Sequence, residues 1–124
     1  MKIHSAKELI VYRKAFELGK LVFELTLRFP REEVYALTSQ VRRSSRSVCL
    51  NLREAWAKRR YEAHFVSKLT GCDGEVNETD SALDFALVHG YISEEQHKQA
   101  TQLCCEVGRM LGSMIRDPSP FLIS

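Results

Sequence analysis

Between Phe65 and Ala86 the chain sets Phe65, Leu69, Cys72, Val76, Thr79, Leu83 and Ala86 at alternating steps of four and three residues. That spacing keeps all seven side chains on one seam of a helix, whereas a strand would need period two. A seam this long is stable only against other helices of similar length. The spacing predicts a helix over about 61–89. Gly71 and Gly74 interrupt it, each costing about 1 kcal/mol against Ala. Either another backbone approaches there or the helix is locally loose. Gly90 follows where a left-handed residue is wanted to end the helix.

Three further segments show helical signals. Ser5-Ala6-Lys7-Glu8 reads as a capping box that starts the first, expected over about 6–28 and stopped by Pro30. Leu9, Tyr12, Phe16, Gly19 and Phe23 recur at helical steps as its core stripe, widened by Leu18, Val22 and Leu25. The second is expected over about 34–57, where Leu37, Val41, Val48, Leu52 and Ala55 fall within about 60° of one another on a helical wheel. Ser44, Ser45 and Ser47 are poor interior helix formers, so this helix depends on packing. Ser93-Glu94-Glu95-Gln96 is a second capping box, opening the fourth segment over about 93–117. Its stripe is Ala100, Leu103, Val107, Leu111 and Met114, and Pro118 ends it. The tail 118–124 is apolar and short, able to pack back on the body or on a neighbouring subunit.

Short connections make consecutive helices antiparallel neighbours. The expected fold is therefore all-α, an up-down-up-down antiparallel four-helix bundle in one domain spanning 1–117. The 124 residues leave no room for a second core. No apolar run reaches the roughly 18 residues of a membrane span, and Met1 to Ile10 lacks a signal-peptide core. These features place the chain in the cytoplasm, off the membrane. Cys49, Cys72, Cys104 and Cys105 match no zinc spacing and read as small, partly buried apolar residues.

Sites for chemistry are absent from the sequence. There is no phosphate-cradling glycine loop, nucleophile elbow or His-Glu-x-x-His helix. His4, His64, His89 and His97 read as surface or capping residues. Glu94-x-x-His97 is a single copy of a motif that di-iron bundles need twice, facing the core. Asp73, Glu78, Asp80 and Asp84 read as a solvated face opposing arginines. No catalytic residue, cofactor or metal is expected, and the chain does not read as an enzyme.

Charge distribution says more than the net +2. Residues 42–60 hold seven bases (Arg42, Arg43, Arg46, Arg53, Lys58, Arg59 and Arg60) against Glu54 alone, while 73–95 hold seven acids and no Lys or Arg. On a wheel Arg42, Arg46, Arg53 and Arg60 form one stripe about 27 Å long if the helix continues to Arg60. Arginine bonds phosphate bidentately and stacks on bases, and Trp56 and Tyr61 stand nearby. These seven residues are the candidate nucleic-acid contacts. The competing reading pairs the stripe with the acids of the third segment and makes the chain a protein-interaction scaffold. Where the arginine side chains end discriminates the two. Leu50, away from the core stripe, and the all-round apolarity of segment one (Ile10, Val11, Leu21, Leu27) point to a second buried face and a homo-oligomer.

Tyr35-Ala36-Leu37-Thr38-Ser39-Gln40-Val41-Arg42-Arg43, with Asn51, Glu54 and Leu87-Val88-His89-Gly90-Tyr91-Ile92-Ser93, resembles the four-helix-bundle family of 23S rRNA intervening-sequence proteins. The accessory protein of diversity-generating retroelements resembles the same family. The similarity covers about residues 6–116. It implies an antiparallel four-helix bundle assembled into a ring-like homopentamer, and, from the retroelement members, binding of RNA or DNA and of a reverse transcriptase. Arg42 and Arg43 match a basic pair of the family pattern, and Asn51 and Glu54 a polar pair. Ala36 stands where Gly is usual, Arg46 where an apolar residue is usual, Cys49 for a common Pro and Arg53 for a common small residue.

Overall fold

The computed structural model describes residues 3–123. Four helices carry the fold: α1 (Ile10–Thr26), α2 (Leu37–Ala57), α3 (Glu62–Val88) and α4 (Glu94–Arg116). No strand occurs among the described residues. α1 packs on α2 and α4, and α3 packs on α2 and α4, so α1 and α3 stand diagonally across an up-down-up-down antiparallel bundle.

The α3 seam is the spine of the core. All seven residues from Phe65 to Ala86 are buried. The one polar member, Thr79, donates to the Glu75 carbonyl at 2.9 Å and shares a 2.8 Å bond with the Ser44 hydroxyl of α2. A polar side chain fits here because both hydroxyls are satisfied. The α2 stripe Leu37, Val41, Val48, Leu52 and Ala55 is buried against it. On α4, Ala100, Val107, Leu111 and Met114 are buried as expected, and Cys104 is more deeply buried than Leu103.

Segment one departs from the sequence reading twice. The Ser5 capping box forms, but it caps a 3-10 turn at Ala6–Glu8. Leu9 is extended (ψ 137°), and α1 starts afresh at Ile10. The core stripe is also centred differently: Leu9, Leu18, Val22 and Leu25 are buried as expected, but the aromatic members of the expected stripe are not. Val11, Ala15, Leu18, Val22 and Leu25 face the bundle, whereas Phe16 and Phe23 are 54% and 40% exposed. Both stripes have helical spacing, and the aliphatic one, not the aromatic one, takes the interior.

Each end has a local cause. Gly90, at φ +76°, ends α3. The Tyr91 N–H reaches back to the Ala86 carbonyl and the Gly90 N–H to Leu87, a Schellman motif. Tyr91 then packs on Phe29 and donates its hydroxyl to Glu33 at 2.8 Å. Glu33 also accepts from the Leu37 N–H, supplying the first turn of α2 with a negative charge. The Ser93 and Gln96 box caps α4. Gly71 and Gly74 face open space, with nothing within 4 Å of an added Cβ, so no backbone approaches them. After Pro118 a 3-10 turn (Ser119–Phe121) brings Phe121 to 6.4 Å from Phe65, and the tail lies on its own body.

Candidate nucleic-acid interface

α2 ends at Ala57, so the basic stripe is shorter than the wheel suggested. Arg42, Arg46 and Arg53 follow one line along about 17 Å of helix. Lys58, Arg59 and Arg60 lie in the turn that leads to α3. Arg60 is therefore not a member of the helical stripe.

The side-chain ends divide the seven residues into three groups. Arg43 ends on α3, 2.7 Å from a Glu78 carboxylate oxygen and 3.7 Å from Glu75. Arg42 turns toward α1, where its Nε donates to the Thr26 hydroxyl at 2.7 Å and its guanidinium lies 4.7 Å from the Phe23 ring centre. Arg59 folds onto its own helix end, 4.0 Å above the Trp56 ring, and donates to the Trp56 carbonyl. Arg46 also lies over Phe23, 5.8 Å from the ring centre, and is exposed. Arg46, Arg53, Lys58 and Arg60 have no ion pair among the described residues. Thus one base of seven is neutralised by the acids of α3.

Those acids are spent elsewhere. Asp84 bonds His97 of α4 at 2.8 Å. Asp73 and Asp80 line a 230 Å³ cleft between α3 and α4 with Thr101, Cys104 and Gly108. Burial raises the pKa of Asp80 above the usual carboxylate range, with the Asp84 charge adding to it. Burial also raises the Glu75 carboxyl, and Glu78 beside it acts the same way. Glu54, on the outer side of α2, is held low by Lys68 at 2.7 Å.

A feature that the sequence reading misassigned borders the basic line. Tyr12, Phe16, Gly19 and Phe23 of α1, with Ser45, Arg46, Cys49 and Leu50 of α2, form an open groove of about 640 Å³. Lys20 and Glu24 stand at its rim. The signal for it was present, since Leu50 and the second apolar stripe of segment one have no place in a single core.

No group of three or more His, Cys, Asp or Glu residues among those described could hold a metal ion. Cys49, Cys72 and Cys104 are buried, and burial pushes their thiols to about 11, about 12 and about 12. Cys105 departs from the buried reading and is exposed. No described helix is long and apolar enough to cross a membrane.

The profile of the 23S rRNA-intervening sequence proteins matches residues 7–113. The chain belongs to that family. The match takes in α1, α2 and α3 whole, α4 as far as Ser113, and every candidate basic residue of this intervening-sequence protein. Among solved structures, a protein of unknown function from the S23 ribosomal protein family of Bacteroides thetaiotaomicron is similar, with a TM-score of 0.78 and 28% identity. The similarity covers 86% of this chain and 96% of that one. No curated protein matches the chain significantly. Neither description names an enzymatic activity.

Proposed function

We propose that this intervening-sequence protein is a non-enzymatic, homo-oligomeric auxiliary protein that binds the backbone of RNA or DNA. The observation that carries the reading is the state of the basic residues. Arg46, Arg53, Lys58 and Arg60 end free of carboxylates, along the outer edge of α2 and the turn after it. In the scaffold reading these ends would be consumed by α3, and only Arg43 is. Unpaired guanidinium and ammonium groups bind phosphates with little regard to sequence and release condensed counterions. Trp56 is already covered by Arg59, so the contact is electrostatic rather than a stacking platform.

Fluorescence anisotropy with a short RNA and a short DNA duplex tests it. If the four free cations neutralise about four phosphates, affinity falls about 100-fold between roughly 50 and 200 mM salt. Arg53→Glu with Arg60→Glu should weaken binding and flatten that slope. Both residues are exposed, so the fold should be unchanged by circular dichroism. Arg42 is a poor choice for this test, because its loss would also remove the donor to the Thr26 hydroxyl and the guanidinium 4.7 Å from the Phe23 ring centre. No binding at the lower salt would overturn the reading and leave a protein partner, such as a reverse transcriptase, as the function to pursue.

A further inference from the structure

The groove between α1 and α2 continues into a 400 Å³ depression over the first turns of α2, and the two share Arg46 and Leu50. Together they make one trough with two kinds of lining. The groove half holds the aromatic side chains, with Phe16 54% exposed. The depression half carries hydroxyl and guanidinium groups, from Thr38, Ser39, Ser47 and Arg42.

Thr38 stands apart from the other threonines. It is 5% exposed, and its hydroxyl is buried without a hydrogen-bond partner among the described residues. Thr26, Thr70, Thr79 and Thr101 each return their hydroxyl to a carbonyl three or four residues back. Thr38 lies in the first turn of α2, where no helical carbonyl stands behind it. Buried polar groups in folded proteins are paired, so this hydroxyl calls for a partner from outside the chain. The cations beside it have donors to spare. Arg42 spends only its Nε on Thr26, which leaves its Nη groups, and Arg46 has no ion pair among the described residues. A group with several acceptor oxygens and negative charge fits there.

We propose that the trough takes a nucleotide carrying a terminal phosphate, with the phosphate at Arg42, Arg46 and Thr38 and the base on Phe16. The inference deepens the nucleic-acid reading, because it names the part of an RNA or DNA strand that the trough holds. Phe23, under the two guanidinium groups, and Phe16 are two turns apart, about 10 Å along α1. That spacing leaves room for the sugar. Arg53 follows Arg46 on the same line of α2, so a strand that ends in the trough runs on along the free basic edge. α2 has no Lys or Arg ahead of Arg42, and the cationic line stops at the depression. A terminal phosphate suits that stop better than a diester, since it has a third free oxygen and close to a second charge. A base also covers Phe16 and Leu50, two of the apolar side chains that have no place in the bundle core.

Fluorescence anisotropy on the full chain tests this with single-stranded RNA of about ten nucleotides, made with hydroxyls at both ends or with a phosphate at either end. A hydroxyl-ended strand one nucleotide longer is the control, because it has as many phosphates as the phosphorylated one. The terminal phosphate should tighten binding about tenfold over that control at equal salt, and adenosine monophosphate should compete for the gain. Thr38→Val and Phe16→Ala should each remove most of the gain. The Thr38 hydroxyl has no partner to lose and Phe16 is exposed, so both variants should keep the fold by circular dichroism. Arg53→Glu with Arg60→Glu should weaken every strand and preserve the ratio. Equal binding of the phosphorylated strands and the control would overturn this inference and leave the backbone reading standing. A gain that survives Thr38→Val or Phe16→Ala would overturn this placement of the strand end. Adenosine monophosphate bound with no strand retained would support the trough as a site for a free nucleotide and overturn the backbone reading. Binding of no probe at all would overturn both.

Discussion

Gly90 is the only described residue with positive φ, and the Schellman motif at the end of α3 is built on it. A side chain there costs about 1–2 kcal/mol, so Gly90→Ala should lower Tm by roughly 4–8 °C in calorimetry. The Ser44 and Thr79 pair makes a different prediction. Thr79→Val removes the acceptor of a buried hydroxyl bond and should cost about 1 kcal/mol. Ser44 keeps the Val41 carbonyl as a partner at 3.3 Å, so adding Ser44→Ala should cost little more; denaturant titration of the two variants measures it. The thiols separate by accessibility. At pH 8 a thiol reagent should modify Cys105 quickly and the other three only on unfolding, because their pKa values are pushed to about 11 or 12.

Helix by helix, legibility tracked the number of faces that each helix buries. α3 was readable because its inward seam is strict over seven positions, and all seven are buried. α1 has two apolar stripes at the same spacing. The aromatic one stands out in the sequence, while Ala15 in the true core stripe is inconspicuous. Periodicity locates a face but cannot say which of two faces meets the bundle. The end of α2 was illegible for another reason, since neither Gly nor Pro marks Ala57, and Arg60 was placed on a helix that had already stopped. For the basic residues, spacing yields only positions on a wheel; whether a guanidinium ends on Glu78, Thr26 or solvent depends on neighbours that spacing does not contain. Gly71 returns as a test at this scale. It is exposed with no neighbour near an added Cβ, so Gly71→Ala should stabilise the chain by about 1 kcal/mol in chemical denaturation.

At the scale of the whole molecule, the net charge of +2 conceals a separation between two neighbouring helices. The outer edge of α2 is basic, and the 73–95 stretch is acidic without a single Lys or Arg. Among the described residues, Arg43 is the only base of α2 with an ion pair to that acidic stretch. Exposed pairs of this kind contribute only about 0–1 kcal/mol, so the separation does little for stability. Its effect is on how the molecule meets charged matter. On an ion-exchange column the chain should be retained by cation and anion resins alike at neutral pH, gripping each with a different side. Spread on a charged surface, it would lie with α2 down on a negative support and α3 down on a positive one, so the sign of the support would decide which face remains open to solution.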